Sequence, residues 1–139
     1  MCIEQQPILV VDDSRVDLVL IESALLSAGV TNPIVCKLSV EEACEYLNGS
    51  AINTDQRPAV LLTDLKMPRI NGIDLVRWAK NQWGLEGILA VVVSGSDLND
   101  DAVRAYDAGA NVFLTKPERF PDQVTMFQGL MGWLKLAIR

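Results

Sequence analysis

ILVVDDS, residues 8–14, joins a β-branched apolar run (Ile8–Val11) to two consecutive carboxylates and a hydroxyl residue. Apolar runs without polar alternation are expected for strands covered on both faces. Ser14 is placed to cap a helix running through Ala28, with Leu18, Ile21 and Leu25 on one face and Gly29 as its stop. The stretch therefore predicts a buried strand that delivers Asp12 and Asp13 to the start of a helix.

The same alternation recurs along the chain. Pro33–Cys36 reads as a second strand, and Ser39 caps a helix that should end at Asn48-Gly49. A polar stretch, Ser50–Arg57, precedes the strand Ala59–Thr63, which ends on Asp64. Asn71-Gly72 opens a helix carrying Ile73, Val76 and Ala79, and Ile88–Val93 is a fourth strand leading to Ser94-Gly95-Ser96. A helix starting at Asp97 or Asn99 carries Asp100 and Asp101 in its first turn, where negative charge is favourable, and stops at Gly109. Val112–Thr115 is the fifth strand, and a last helix runs from about Pro121 to the C-terminus. Five strand–helix pairs with short connections predict an α/β fold, a doubly wound five-stranded parallel sheet, within one domain over residues 1–139.

Composition agrees. Half of the 139 residues are apolar, enough for a substantial core. Eighteen acidic residues against 12 basic give a net charge of −6, and no basic stripe is present, which argues against nucleic-acid binding. Cys2, Cys36 and Cys44 lack metal-type spacing and there is no histidine, so zinc is not expected. MCIEQQ has neither the basic region nor the apolar core of a signal peptide, and no apolar run is long enough to span a membrane. A soluble cytoplasmic protein is expected.

In an open parallel α/β sheet, ligands bind beyond the carboxyl ends of the strands. The first strand ends in Asp12 and Asp13, the third in Asp64, the fourth in Ser94 and the fifth in Thr115-Lys116-Pro117. One edge thus collects three carboxylates, a hydroxyl and an ammonium. Mutually repelling carboxylates are relieved by a hard cation, and oxygen ligands plus water suit Mg2+. Such a metal would neutralise an incoming phosphate while Ser94 and Lys116 hold its remaining oxygens. Spacing alone gives a Mg2+–phosphate site and leaves open which carboxylate accepts the phosphoryl group. Taken singly the signals are plain: Asp-Asp-Ser is more often a helix start, Ser94 a turn residue and Phe113 a core aromatic.

ILVVDDS, LLTDLKMPRINGIDL, VVVSGS and GANVFLTKP, in this order, resemble the four motif blocks of the receiver domain of two-component response regulators. The resemblance spans nearly the whole chain and implies a flavodoxin-like fold with strand order 2-1-3-4-5. It implies Asp64 as phospho-acceptor, Asp13 as the main metal carboxylate, Asp12 as its acidic neighbour acting through water, and the Lys66 backbone carbonyl as a further Mg2+ ligand. It further implies Ser94 and Phe113, expected at matching strand ends, as the hydroxyl and aromatic switch residues. Lys116 matches the phosphate-contacting lysine, and Lys116-Pro117 a peptide bond that is often cis in this family. Lys66 and Ser96, each two residues beyond a site residue, would tune phosphoryl lifetime.

The function expected is that of a single-domain response regulator without an output domain, phosphorylated by a histidine kinase rather than acting as an enzyme on other substrates. Ser50–Arg57, PRINGIDL, Tyr106-Asp107 with LTKP and a late tryptophan resemble the small regulators paired with phytochrome-type kinases. Val124, Met126, Phe127, Leu130, Met131, Trp133, Leu134, Leu136 and Ile138 make a wide apolar set, which points either to a second surface, such as a second copy of the chain, on the last helix or to packing of all of them within the monomer. Three rivals stand beside this reading. An FMN-binding protein would need a hydroxyl- and glycine-rich loop where the two aspartates lie. A receiver-like adaptor working without phosphorylation would be expected to lack site residues. A phosphorelay intermediate or phosphate sink uses the same chemistry.

Overall fold

The computed structural model describes residues 5–95 and 99–137; Cys2, Ser96, Asp97 and Ile138, together with the Leu136 side chain, lie outside the described residues. Five strands, β1 (Ile8–Val11), β2 (Ile34–Lys37), β3 (Val60–Asp64), β4 (Leu89–Ser94) and β5 (Val112–Thr115), alternate with five helices. The helices are α1 (Arg15–Ser27), α2 (Val40–Ile52), α3 (Gly72–Lys80), α4 (Asn99–Asp107) and α5 (Phe120–Ala137). All strand pairs are parallel and the order is β2-β1-β3-β4-β5.

The continuous apolar runs resolve into two faces with the period of two that a pleated strand imposes. Leu9, Val11, Leu61, Ala90 and Val92 pack with residues of α2, α3 and α4 on one side. Ile8, Val10, Val60, Leu62, Val91 and Val93 pack with α1 and α5 on the other. Both sets are needed because helices cover both sides, so alternation is invisible in the sequence. Most of the wide apolar set on α5 is absorbed here. Phe127, Leu130 and Leu134 are buried in this second core, with Val124, Met126 and Met131 packed against it, while Trp133 stays 43% exposed.

Local chemistry sets the helix ends. Ser14 caps α1 by accepting from the Asp17 N–H, and Gly29, at φ +91°, lets the chain turn away while Val30 N–H returns to Leu25 O. Ser39 caps α2, and Asn71 caps α3 in a reciprocal box with Asp74. Two predicted boundaries move. α2 passes the expected stop at Asn48-Gly49 and ends at Ile52. Ser50 in that added turn is fully buried, with its hydroxyl donating to Leu47 O at 2.8 Å, which offsets the helix cost of glycine, about 1 kcal/mol. β2 shifts by one residue because Pro33 has no N–H to donate, and its carbonyl instead accepts from Ile8 N–H at 2.8 Å.

The β3–α3 connection is the tightest part of the frame. Ile70 N–H reaches Pro68 O at 2.7 Å, closing a γ-turn around Arg69, which has φ 66°. Gly72 N–H then donates to Leu65 O at 2.9 Å. A Cβ on Gly72 would lie 2.1 Å from the Asp64 carbonyl oxygen, so only glycine lets α3 start this close to the end of β3. Gly72→Ala must push α3 off the sheet. It should lower stability by about 1–3 kcal/mol, visible as a lower melting temperature, whereas an unchanged melting curve would show that the loop yields without cost.

Candidate functional site

Parallel strands in the observed register end at one edge, and their terminal residues meet there. Asp12 follows β1 directly and is buried, with one carboxylate oxygen accepting from Ser14 N–H at 2.9 Å. Asp13 beside it is exposed. Asp64, the last residue of β3, is partly buried, and its backbone is anchored by Leu65 N–H on Val93 O and by the Thr63 hydroxyl on its own carbonyl. Asp12, Asp13 and Asp64 each present a carboxylate oxygen within 4.8 Å of the other two.

That crowding shows in the electrostatics. Burial pushes the Asp64 carboxyl up to about 6, with the Asp12 charge adding to it, against the opposing pull of Lys116 and the Leu65 N–H. Asp12 is likewise raised, chiefly by burial, while the Ser14 N–H holds it back. Three hard oxygen donors so placed fit a divalent cation such as Mg2+, which takes one or two carboxylates and completes its shell with water. The donor set is wrong for zinc as a structural metal, which prefers nitrogen and sulfur.

Lys116 lines a narrow crevice with Asp12, Asp64 and Thr63, and its backbone N–H donates to Ser94 O at 2.7 Å, tying the end of β5 to the end of β4. Its ammonium lies 3.7 Å from Asp17 in the first turn of α1. Lys116-Pro117 is not cis, contrary to the expectation from the family resemblance: among the described residues no peptide bond is cis. Trans is the intrinsically favoured X-Pro form by about 0.5–1 kcal/mol, and here Gln123 Nε2 donates to Pro117 O at 2.9 Å, satisfying that carbonyl.

Ser94 is buried at the end of β4. Phe113 is not at a strand end as the sequence suggested; it pairs with Val92, two residues before Ser94. The period of two therefore turns Ser94 and Phe113 toward the same side of the sheet, where Phe113 packs against the core shared with α3 and α4. Lys66 lies in the β3–α3 loop with its side chain exposed, lining a groove of about 480 Å³ with Asn71, Asp74, Arg77, Asp101 and Arg104. Asp101 is itself buried and paired with Arg104.

Two neighbours escaped the sequence. Asp17 reads there as an ordinary acidic residue in a first helical turn, and its reach to Lys116 requires knowing that β5 ends beside α1. Tyr106 on α4 accepts the Phe113 backbone N–H at 3.1 Å through its hydroxyl, covering a donor on the sheet's edge strand. Neither contact has a signal in spacing.

Known proteins share this fold. The model of the response regulator receiver domain matches residues 8–128. Response regulator Rcp1 of Synechocystis is 28% identical over 130 residues, covering 92% of this chain and 88% of its own. The phosphorylated cyanobacterial phytochrome response regulator RcpA has a similar structure, with TM-score 0.84, 26% identity and 97% of each chain covered. The Mn2+-bound form of Rcp1 gives TM-score 0.78 at 27% identity, over 93% of this chain and 94% of that one.

The electrostatics predict a pH signature in metal-free protein. A carboxyl raised to about 6 gives a stability contribution fully present below the ordinary carboxylate range, near about 4, and lost as pH rises through its folded value. Asp64→Asn removes that titration. The melting temperature of the variant should match the parent near about pH 4 and exceed it increasingly up to pH values above 6. A pH-independent difference would mean that Asp64 is not crowded as described.

Proposed function

The chain belongs to the response regulator receiver family, and from that premise we propose that it accepts a phosphoryl group on Asp64 in a Mg2+-dependent reaction. Receiver domains are signalling modules of two-component systems, with phosphorylation and Mg2+ binding general to the family. The observation that carries the proposal for this chain is the meeting of Asp12, Asp13 and Asp64 within 4.8 Å, at the edge where Lys116 also lies.

Asp13 and Asp64, with Asp12 through water and the Lys66 carbonyl, would hold the metal. The metal would supply charge neutralisation for the transferring phosphoryl group. An Asp64 carboxylate oxygen attacks phosphorus as the P–N bond of a kinase phosphohistidine breaks; the imidazole leaves, and an acyl phosphate remains on Asp64. Lys116 and the Ser94 hydroxyl take phosphoryl oxygens that the metal does not. The Mn2+-bound form of the relative Rcp1 supports a divalent ion in this family's acidic pocket.

The new group carries close to two negative charges and three strong acceptor oxygens. Ser94 moves toward it and Phe113 turns into the space released, remodelling the face of α4, β5 and α5. The common orientation of the two side chains supports this coupling. A histidine kinase is the upstream partner, and the likeness to the phytochrome response regulator RcpA favours a phytochrome-type one. The likeness to the phytochrome response regulator RcpA supports a signalling role in which the chain promotes its own phosphorylation and dephosphorylation. Among the described residues no helix is long and apolar enough to cross a membrane. A second copy of the chain on α5 would dock around Trp133.

Incubating the protein with a small-molecule phosphodonor and Mg2+ should add one phosphoryl mass, absent when Mg2+ is chelated and absent in Asp64→Asn. Unmodified parent protein would instead favour an adaptor that works without phosphorylation. Phe113→Ala should be phosphorylated normally yet lose most of the change in partner binding; a full response would remove the aromatic from the switch. Sedimentation of parent and Trp133→Ala, with and without the phosphoryl group, should show a dimer that the substitution weakens. A monomer throughout would overturn the dimer.

A further inference from the structure

A fourth carboxylate adjoins the site without belonging to the trio of mutually close oxygens. Asp17 sits in the first turn of α1, where its N–H is held by the Ser14 hydroxyl at 3.2 Å, and Ser14 N–H is held in turn by Asp12 at 2.9 Å. The cap that starts α1 therefore also fixes Asp17 relative to Asp12. Across the crevice, the Lys116 ammonium lies 3.7 Å from an Asp17 carboxylate oxygen, with the two side chains only 23% and 39% exposed. The same ammonium exerts an attractive field on Asp12 and Asp64.

One cation thus faces acceptors on two sides. We propose that Asp17 is a positioning residue for Lys116: it parks the ammonium beside α1 in the unmodified protein and yields it when Asp64 acquires a phosphoryl group. Asp17 thereby raises the threshold for phosphoryl binding and keeps Lys116 ordered for it. The inference rests on the reading of Lys116 as a phosphoryl contact. Helix-dipole stabilisation alone would explain an acidic residue in the first turn, but it does not explain the ion pair across to β5.

The rivals to this role differ in their dependence on Lys116. If Asp17 acts through Lys116, its effect on anion binding vanishes when the ammonium is removed. If it only adds negative field, or only stabilises α1, the effect persists without Lys116. A double-mutant cycle separates these cases.

The probe is beryllium trifluoride, a phosphoryl mimic, titrated calorimetrically into the full chain with saturating Mg2+. Parent, Asp17→Asn, Lys116→Ala and the double variant complete the cycle. Asp17→Asn should tighten binding by about two- to five-fold, the range for a partly exposed ion pair, and should change nothing in the Lys116→Ala background. The Lys116 ε-methylene NMR signal should shift on Asp17→Asn in the free protein and coincide with that of the parent once the anion is bound. Equal gains in both backgrounds, no gain, or an unmoved Lys116 signal would overturn the role of Asp17 alone. A parent protein that does not bind the anion would overturn the phosphoryl reading and this inference with it.

Discussion

Repulsion among Asp12, Asp13 and Asp64 is the constraint on which the rest depends. Two of the three are at least partly withdrawn from water, and one oxygen of each lies within 4.8 Å of the others. At that range unit charges interact by about 1 kcal/mol in bulk water and about 3–4 kcal/mol at the effective dielectric near a protein surface. The site is therefore held in a state that favours any added positive charge: a proton on Asp64, the Lys116 ammonium or a divalent cation. Under the proposed function, the same bias would prepare the site for phosphate. Anionic phosphate is repelled by three carboxylates, so metal and ammonium would be conditions of the proposed chemistry.

The fold enforces this arrangement by making it the only way to end the strands. β1, β3 and β4 are buried on both faces, so a slip in pairing register would misplace apolar residues in both cores. Their ends are consequently pinned to one line, and Asp12, Asp64 and Ser94 with them. Gly72 tightens this further, because the backbone of α3 passes where a side chain would strike the Asp64 carbonyl. Electrostatic cost at the edge is tolerated because hydrophobic burial on the two faces holds the strands in place. Core and site are thus coupled through backbone geometry, not through direct contact between apolar and charged side chains.

This division explains how much the sequence could disclose. The sheet was legible from ILVVDDS and its successors, and the site from the polar residues that close each strand, since both depend on local order along the chain. Matching of Asp64 to the phospho-acceptor needed the family resemblance. Gly72 reads in the sequence only as part of a helix start, because the Asp64 carbonyl it faces is eight residues away, beyond a γ-turn whose path no pattern announces. The Asp17–Lys116 and Tyr106–Phe113 contacts join elements through tertiary placement. The extra turn of α2 goes with burial of Ser50, whose hydroxyl bonds Leu47 O. Each miss is a case of tertiary context deciding what local chemistry left open.

Tyr106 and Gln123 show how that context reaches the edge strand. Among the described residues β5 pairs with β4 alone, so its outward backbone groups need other partners. Tyr106 on α4 accepts the N–H of Phe113, while Gln123 on α5 holds the carbonyl of Pro117 just beyond the strand. Both helices are thereby hydrogen-bonded to the segment that carries Phe113 and Lys116. A movement of Lys116 toward new charge on Asp64 would act on the same backbone whose flanking groups bind α4 and α5. In the proposed switch, these polar contacts of β5 would add a smaller second route from site to surface beside the aromatic rotation. Under the proposed switch, this would give the α4–β5–α5 face, rather than the α2 side of the sheet, a physical reason to register a charge added at the end of β3.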